Sequence, residues 1–374
     1  MENKKDNNSH INSRKSKTSR VLPSSQRRNL LRAIPSLFLF PGVSAVMAQQ
    51  AMPVAVRKLH SFTIRVSDLA RSLSFYQDLF AAPVQARQGD EVLLRIGSGP
   101  QHFRLRPVRA GEAPGFSSIG LSVEDFDLDR VRQQLIAFGV TPGSPPEPGD
   151  PQLSMAMRSW VVERGPGEGG ASSGTRELYF ADIEGIRYHL TALDYCGGSG
   201  PQGSSCSAPE PAPAEAMFNL VDLSHFTTFL ASRDRANDFY RRAFGKNYQA
   251  YQGPGAPVIG VGDGLQFLMY VGGSSTGAPA SAGRIDHSCF SVTDFNVERI
   301  LTQLTDYGLS PRQDANDTGP LMHWVSMRMP NRGGAAGGTP ELYFTDPDGI
   351  RIQLQDPGYC GGTGYLGDQC PPLA

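Results

Sequence analysis

Along this chain, short apolar runs are followed by stretches whose apolar positions recur at helical spacing, and the cycle then repeats. A strand-like run, Ser61–Val66, leads into Leu69, Leu73, Phe75, Tyr76 and Leu79, spaced as on one helix face behind Ser67-Asp68, a suitable N-cap. Short strands follow at Val92–Ile96 and Phe103–Leu105, and the cycle restarts with Ile119–Val123 and a helix over Leu128–Phe138. The same order returns later as His225–Leu230, Val258–Val261 and Leu265–Tyr270, then His287–Val292 and a helix over Val297–Tyr307. The last cycle closes on an Asp-Gly type turn, Asp346-Pro-Asp-Gly349. The pattern predicts an α+β chain of four β-α-β-β-β units.

Self-comparison ties these units into two halves. Glu177-Leu-Tyr-Phe-Ala-Asp-Ile-Glu-Gly-Ile-Arg-Tyr-His-Leu matches Glu341-Leu-Tyr-Phe-Thr-Asp-Pro-Asp-Gly-Ile-Arg-Ile-Gln-Leu at an offset of 164 residues. The same offset carries Phe75-Tyr76 onto Phe239-Tyr240, while Val123 and Val292 are 169 apart, so a small insertion intervenes. Homologous domains are therefore expected over residues 55–200 and 218–374. Residues 201–217, rich in Ser, Pro and Ala, are the expected linker.

Composition fits this picture. A chain of 374 residues has room for two domains, and 39% hydrophobic with 19% charged residues is the balance of a globular protein. A net charge of −1 gives no global field toward nucleic acid or an anionic membrane. The charge is uneven, however: residues 1–32 are strongly basic and end in Arg27-Arg28-Asn29-Leu30-Leu31-Arg32, followed by a short apolar stretch and Val46-Met47-Ala48. Residues 1–48 thus read as a twin-arginine-like signal peptide, with a periplasmic or secreted location and no membrane span in the mature chain. A disordered basic tail on a cytoplasmic protein is the alternative. Cysteine usage favours export: Cys196 and Cys206, like Cys360 and Cys370, bracket short glycine-rich loops of identical spacing. Two local disulfides are expected, against a site built from all four thiolates. Cys289 lies in an apolar strand and reads as core.

The paired modules, the opening His-Phe-Thr…Phe-Tyr and the closing Leu-Tyr-Phe-Thr-Asp-Pro-Asp-Gly-Ile-Arg-Ile-Gln-Leu resemble the vicinal oxygen chelate superfamily of glyoxalase I, extradiol dioxygenases and bleomycin-resistance proteins. The resemblance implies two cup-shaped half-barrel domains, and in a functional cup three side chains holding one divalent metal. It places the ligands at His225, His287 and Gln353, a set suited to Fe2+, with Mn2+, Zn2+ or Ni2+ as alternatives. Gln353 stands where Glu is commonest, which weakens the donor and leaves the metal one charge more positive. In the first half the matching positions are Ser61, Ser118 and His189, too poor a set for a cation. His60 is one residue out of register, which on a regular strand turns it to the other face. His102 reads as structural.

An asymmetry of one metal cup and one degenerate cup resembles the extradiol enzymes and implies ring cleavage of a small catecholic substrate. A glyoxalase or isomerase-type lyase and a non-catalytic binding protein are the alternatives. Tyr343, ten residues before Gln353, stands where the extradiol enzymes carry a tyrosine acid, although Tyr179 repeats it in the other half and favours a core role equally. His323 is a second candidate acid or base. Arg332, in the loop Asn331–Gly338, is placed to meet an anionic substrate group. The expected partner is a small molecule and not nucleic acid, with the chain a monomer or homodimer.

Overall fold

The computed structural model describes residues 51–145, 156–262, 264–315 and 317–371; the expected signal peptide over residues 1–48 lies outside them. Residues Gln50–Ala374 form one compact unit. The first module is β1 (Val56–Val66), α1 (Leu69–Phe80), β2 (Val84–Gln88), β3 (Glu91–Arg95) and β4 (His102–Pro107). The second is β5 (Gly115–Val123), α2 (Leu128–Ala137), β6 (Val140–Pro142), β7 (Met157–Arg164), β8 (Thr175–Ala181) and β9 (Arg187–Thr191). The second half repeats this plan. Its third module is β10 (Leu220–Leu230), α3 (Arg233–Phe244), β11 (Tyr248–Tyr251), β12 (Pro257–Gly260) and β13 (Phe267–Gly272). The fourth is β14 (Arg284–Val292), α4 (Val297–Tyr307), β15 (Ser310–Pro311), β16 (Met322–Arg328), β17 (Thr339–Thr345) and β18 (Arg351–Gln355).

Each half makes one open nine-stranded sheet, in the order β2-β3-β4-β1-β5-β9-β8-β7-β6 and its counterpart β11-β12-β13-β10-β14-β18-β17-β16-β15. The fold is α+β, and neither sheet closes on itself. The short strands β6 and β15 add one member to each second module beyond the predicted three. Modules join where β1 runs antiparallel to β5, and β10 to β14. The helices begin where a short polar side chain supplies the missing acceptor: Asp68, Asp127, Ser232 and Asn296 each accept the backbone N–H three residues on.

The halves share one core. The first-half residues Phe62 and Phe103 pack on Phe290, with ring centroids 5.7 and 5.6 Å away. Helices α1 and α3 lie between the sheets: Phe80 of α1 meets Phe290 of β14, and Phe239 of α3 meets Phe180 of β8. Two hydrogen bonds cross between the halves in mirror fashion. Tyr76 donates to Asp346 at 3.1 Å and Tyr240 donates to Asp182 at 2.8 Å. Burial lifts both carboxyl pKa values from 3.8 to about 6, although each accepts backbone N–H groups as well. The conserved-looking Asp of the duplicated closing motif is therefore a fastener between halves.

The linker is held in place. Glu210 pairs with Val84 at the sheet edge and its carboxylate meets Arg87 at 2.7 Å. Both expected disulfides are present, Cys196–Cys206 and Cys360–Cys370, which rules out the four-thiolate alternative; Cys289 is a buried free thiol.

Candidate metal and substrate site

The three candidate ligands stand on neighbouring strands of the second sheet. Cys289 on β14 pairs with His225 on β10 and with Gln353 on β18, while His287 lies two residues from Cys289 and so shares its face. A bulge in β10 adjusts the aim: Leu223 and Phe226 both enter the core, so Ser224 and His225 both turn the other way. His225 Nε2 comes within 3.2 Å of Gln353 Oε1, and the two imidazole rings are 5.5 Å apart between centroids.

The hydrogen bonds define what these groups offer. His287 Nδ1–H donates to the Asp286 carboxylate at 2.8 Å, which leaves Nε2 as the lone-pair nitrogen; that atom is buried and has no partner among the described residues. Burial works against an ionised Asp286, but the His287 bond and the nearby Arg351 and Arg284 hold its carboxyl below the ordinary range. In the observed arrangement His225 Nε2–H donates to the Gln353 oxygen, and the Ser224 hydroxyl sits 3.1 Å from Nδ1. Turning that hydroxyl lets Nδ1–H donate to it instead and frees Nε2 as a second lone pair. Desolvation, then the neighbouring His287, pushes the His225 pKa well below 6.5, so the ring stays neutral as a ligand requires. The Gln353 amide nitrogen is a further buried atom without a partner among the described residues.

Two imidazole nitrogens and one amide oxygen converge on a cavity of about 350 Å³, the size of a single-ring ligand with substituents. Its walls include Phe229, Met269 and Tyr343, and Arg233, Arg332 and Arg351 give its lining a basic character. The residues fit a divalent ion as a neutral His-His-Gln set. Among the described residues, no group of three or more His, Cys, Asp or Glu side chains is arranged to hold a metal. The neutral amide is thus what the set depends on.

Tyr343 and Arg332 both line this cavity. The Tyr343 ring lies edge-on to His287, 5.3 Å between centroids, and its hydroxyl donates to Glu341 at 3.4 Å. Burial, then the Glu341 charge, raises its pKa well above 10, so the phenol stays protonated. His323 is elsewhere. On β16 it is Trp324 that stacks on Tyr343, so alternation turns His323 to the opposite face, where its Nε2 meets Thr305 of α4 at 2.8 Å. The expectation that it serves as acid or base is corrected on that ground.

The first half differs at the counterpart of this cavity. Aligned by strand register, Arg104 occupies the place of Met269 and Glu91 that of Ala256. Their ion pair, 3.1 Å long and nearly buried, stands where the second half has Met269 and Ala256 lining its cavity. The expectation for His60 is also corrected. A bulge in β1 sends Leu59 and Phe62 both to the core, so His60 joins Ser61 on the other face and bonds the Tyr195 carbonyl at 2.6 Å. Tyr195 then stands between His60, His102 and His189, with ring centroids 5.1 to 5.9 Å away. Sequence reasoning also missed Asp286, Ser224 and Tyr359. Tyr359 left one signal, its duplicate Tyr195 directly before the matching cysteine.

Residues 58–157 match the family model described as Glyoxalase/Bleomycin resistance protein/Dioxygenase superfamily. No curated protein matches the chain in sequence. Among solved structures, an extradiol ring-cleaving dioxygenase from B. fuscum superposes with a TM-score of 0.53 at 17% identity, over 85% of this chain and 75% of that one. The 2,3-dioxygenase LapB from Pseudomonas sp. KL28 gives 0.53 at 15% identity, over 86% of this chain and 95% of that one. Homoprotocatechuate 2,3-dioxygenase from Brevibacterium fuscum, in complex with 3,4-dihydroxyphenylacetate, gives 0.52 at 16%, over 82% of each. At these identities the likeness is one of fold. With residues 58–157 similar to the glyoxalase/bleomycin resistance protein/dioxygenase superfamily and two sheets arranged as in those enzymes, the chain shares the two-domain α+β fold of the extradiol dioxygenases.

Proposed function

We propose that the second half binds one divalent metal, Fe2+ first among the candidates, through His225, His287 and Gln353. The chain then acts on a small substrate with two adjacent oxygens, by extradiol-type ring cleavage. The observation that carries this reading is the buried Nε2 of His287, without a partner among the described residues, beside His225 Nε2 and Gln353 Oε1 at a ring-sized cavity. A divalent ion bound there would supply positive charge that acidifies a coordinated hydroxyl and draws two vicinal oxygens together. The protein would do the rest. Asp286 keeps the His287 proton on Nδ1, and the Ser224 hydroxyl would accept a hydrogen bond from His225 Nδ1–H, leaving its Nε2 free. Tyr343, held protonated, is the candidate proton donor to an oxygen at the site. Arg332 and Arg233 at the cavity face an anionic substituent of the substrate.

We further propose that residues 55–200 and 218–374 act as a scaffold domain and a site domain. Residues 1–48 would direct the chain to an oxidising compartment outside the cytoplasm, a reading supported by the two disulfides. The test is metal content followed by oxygen uptake. Purified chain loaded with Fe2+ should hold about one ion per chain, lose it in His225→Ala and His287→Ala, and consume O2 with a catechol. Turnover without O2 to an isomerised product would instead indicate glyoxalase-type chemistry. A chain that takes up no metal under any loading condition would leave only ligand sequestration.

A further inference from the structure

The chain after β18 does not leave the site. It turns at Asp356, whose backbone oxygen accepts the Tyr359 N–H at 3.0 Å, and sends the Tyr359 ring back beneath the ligands with 1% exposure. That ring lies 5.5 Å from the His225 ring and 6.0 Å from the Phe267 ring between centroids, while Phe267 stacks on His225 at 4.4 Å, so Tyr359 packs on the imidazole beside Phe267 rather than across from it. The Tyr359 hydroxyl donates to Glu341 at 3.3 Å and accepts from the Gln252 amide at 3.1 Å. Tyr359 also lines a second, larger cavity of about 680 Å³ at the seam between the halves. Its ring is therefore the partition between that space and the candidate site, and Ser224 lines the far side beside it.

The next residue is Cys360. The Cys360–Cys370 bond closes the strap, which is pinned from below by Arg328 to the Gly362 carbonyl at 2.8 Å and by Thr339 to the Gly364 carbonyl at 2.6 Å. Arg328 is itself fixed by a buried ion pair with Glu341, 2.8 Å long. The first half carries the same strap: Cys196–Cys206, with Arg164 on the Gly198 carbonyl and on Glu177. That copy belongs to the half in which Arg104 and Glu91 stand in place of Met269 and Ala256.

We infer that Tyr359, locked by the Cys360–Cys370 strap, is a positioning residue for His225. Without its ring the side of the imidazole next to Phe267 opens onto the second cavity, and His225 gains orientations in which Nε2 no longer faces Gln353. The inference rests on the proposed metal reading, and the twin strap supplies its control. Co2+ would be titrated into the full chain and followed by visible absorption, with folding stability measured by urea. Cys360→Ala with Cys370→Ala, and separately Tyr359→Ala, should weaken Co2+ binding by about tenfold or more, as loss of a ligand's outer support does. Cys196→Ala with Cys206→Ala should lose comparable stability yet keep the wild-type affinity, and Tyr359→Phe should bind nearly as wild type. Equal weakening by both strap variants, or none by Tyr359→Ala, overturns the inference. If the strap variant fails to fold, Tyr359→Ala decides. If the wild type takes up no Co2+, the metal reading fails separately, and the imidazole nitrogen resonances decide instead. Those of His225 should shift or double in Tyr359→Ala while those of His287 hold, and unchanged His225 resonances overturn the inference.

Discussion

At the residue scale the proposed site turns on one atom type. Gln353 offers an oxygen with no charge, so the two imidazoles would hold a cation without the carboxylate that would neutralise part of it. Gln353→Glu should raise affinity for Co2+ or Mn2+ by about tenfold or more, the factor that goes with about 1.4 kcal/mol, measured by competition with a metal chelator. The three candidate positions come from the family resemblance, and strand register brings them onto neighbouring strands. Their supports left no such signal. Asp286 and Ser224 are ordinary polar residues in the sequence, and only the side-chain geometry shows each meeting the Nδ1 of a histidine. His323 was misjudged for a simpler reason: strand alternation gives the cavity face of β16 to Trp324.

At the element scale the bulges in β1 and β10 carry the lesson. The strict two-residue period predicts that His60 faces the core, but Leu59 and Phe62 occupy the core together and the residues between them turn outward as a pair. A period read from one strand cannot register an inserted residue. The helices were easier to read, since α4 occupies its predicted span and α1 and α2 follow the predicted apolar positions. Where they pack was hidden: α1 and α3 each face both sheets, and their Tyr76 and Tyr240 hydroxyls reach carboxylates of the opposite half. Tyr76→Phe and Tyr240→Phe each leave a buried carboxyl short of one donor. Each should cost about 1–3 kcal/mol of stability, read from urea unfolding, with the halves still unfolding together.

For the whole molecule, the same two carboxyls tie stability to pH. Asp182 and Asp346 have folded-state pKa values near 6 against an ordinary 3.8, so between those values the folded chain binds more protons than the unfolded one. Their contribution is fully present below the lower value and is lost as pH rises through the upper. Unfolding at about pH 7 and about pH 5 should therefore show the wild type gaining more on acidification than the Asp182→Asn, Asp346→Asn double variant. An equal gain in both would show that these groups do not titrate as described. The duplication itself was plain at the 164-residue offset, but the ion pair that sets one copy apart was not. Arg104 and Glu91 look like surface charges until register sets them opposite Met269 and Ala256.

The shared core bears on how such a duplicate can persist. Phe62, Phe103 and α1 form a wall against which Phe290 and β17 are packed, and α3 returns the arrangement against β8. Ser61, Ser118 and His189 stand outside that core, so they are free to differ from His225, His287 and Gln353 without loosening the packing between the sheets. Deleting that copy would uncover the aromatic flank of its sibling. Whatever chemistry each cup performs, the first half also serves as masonry for the second, through its phenylalanines rather than its histidines.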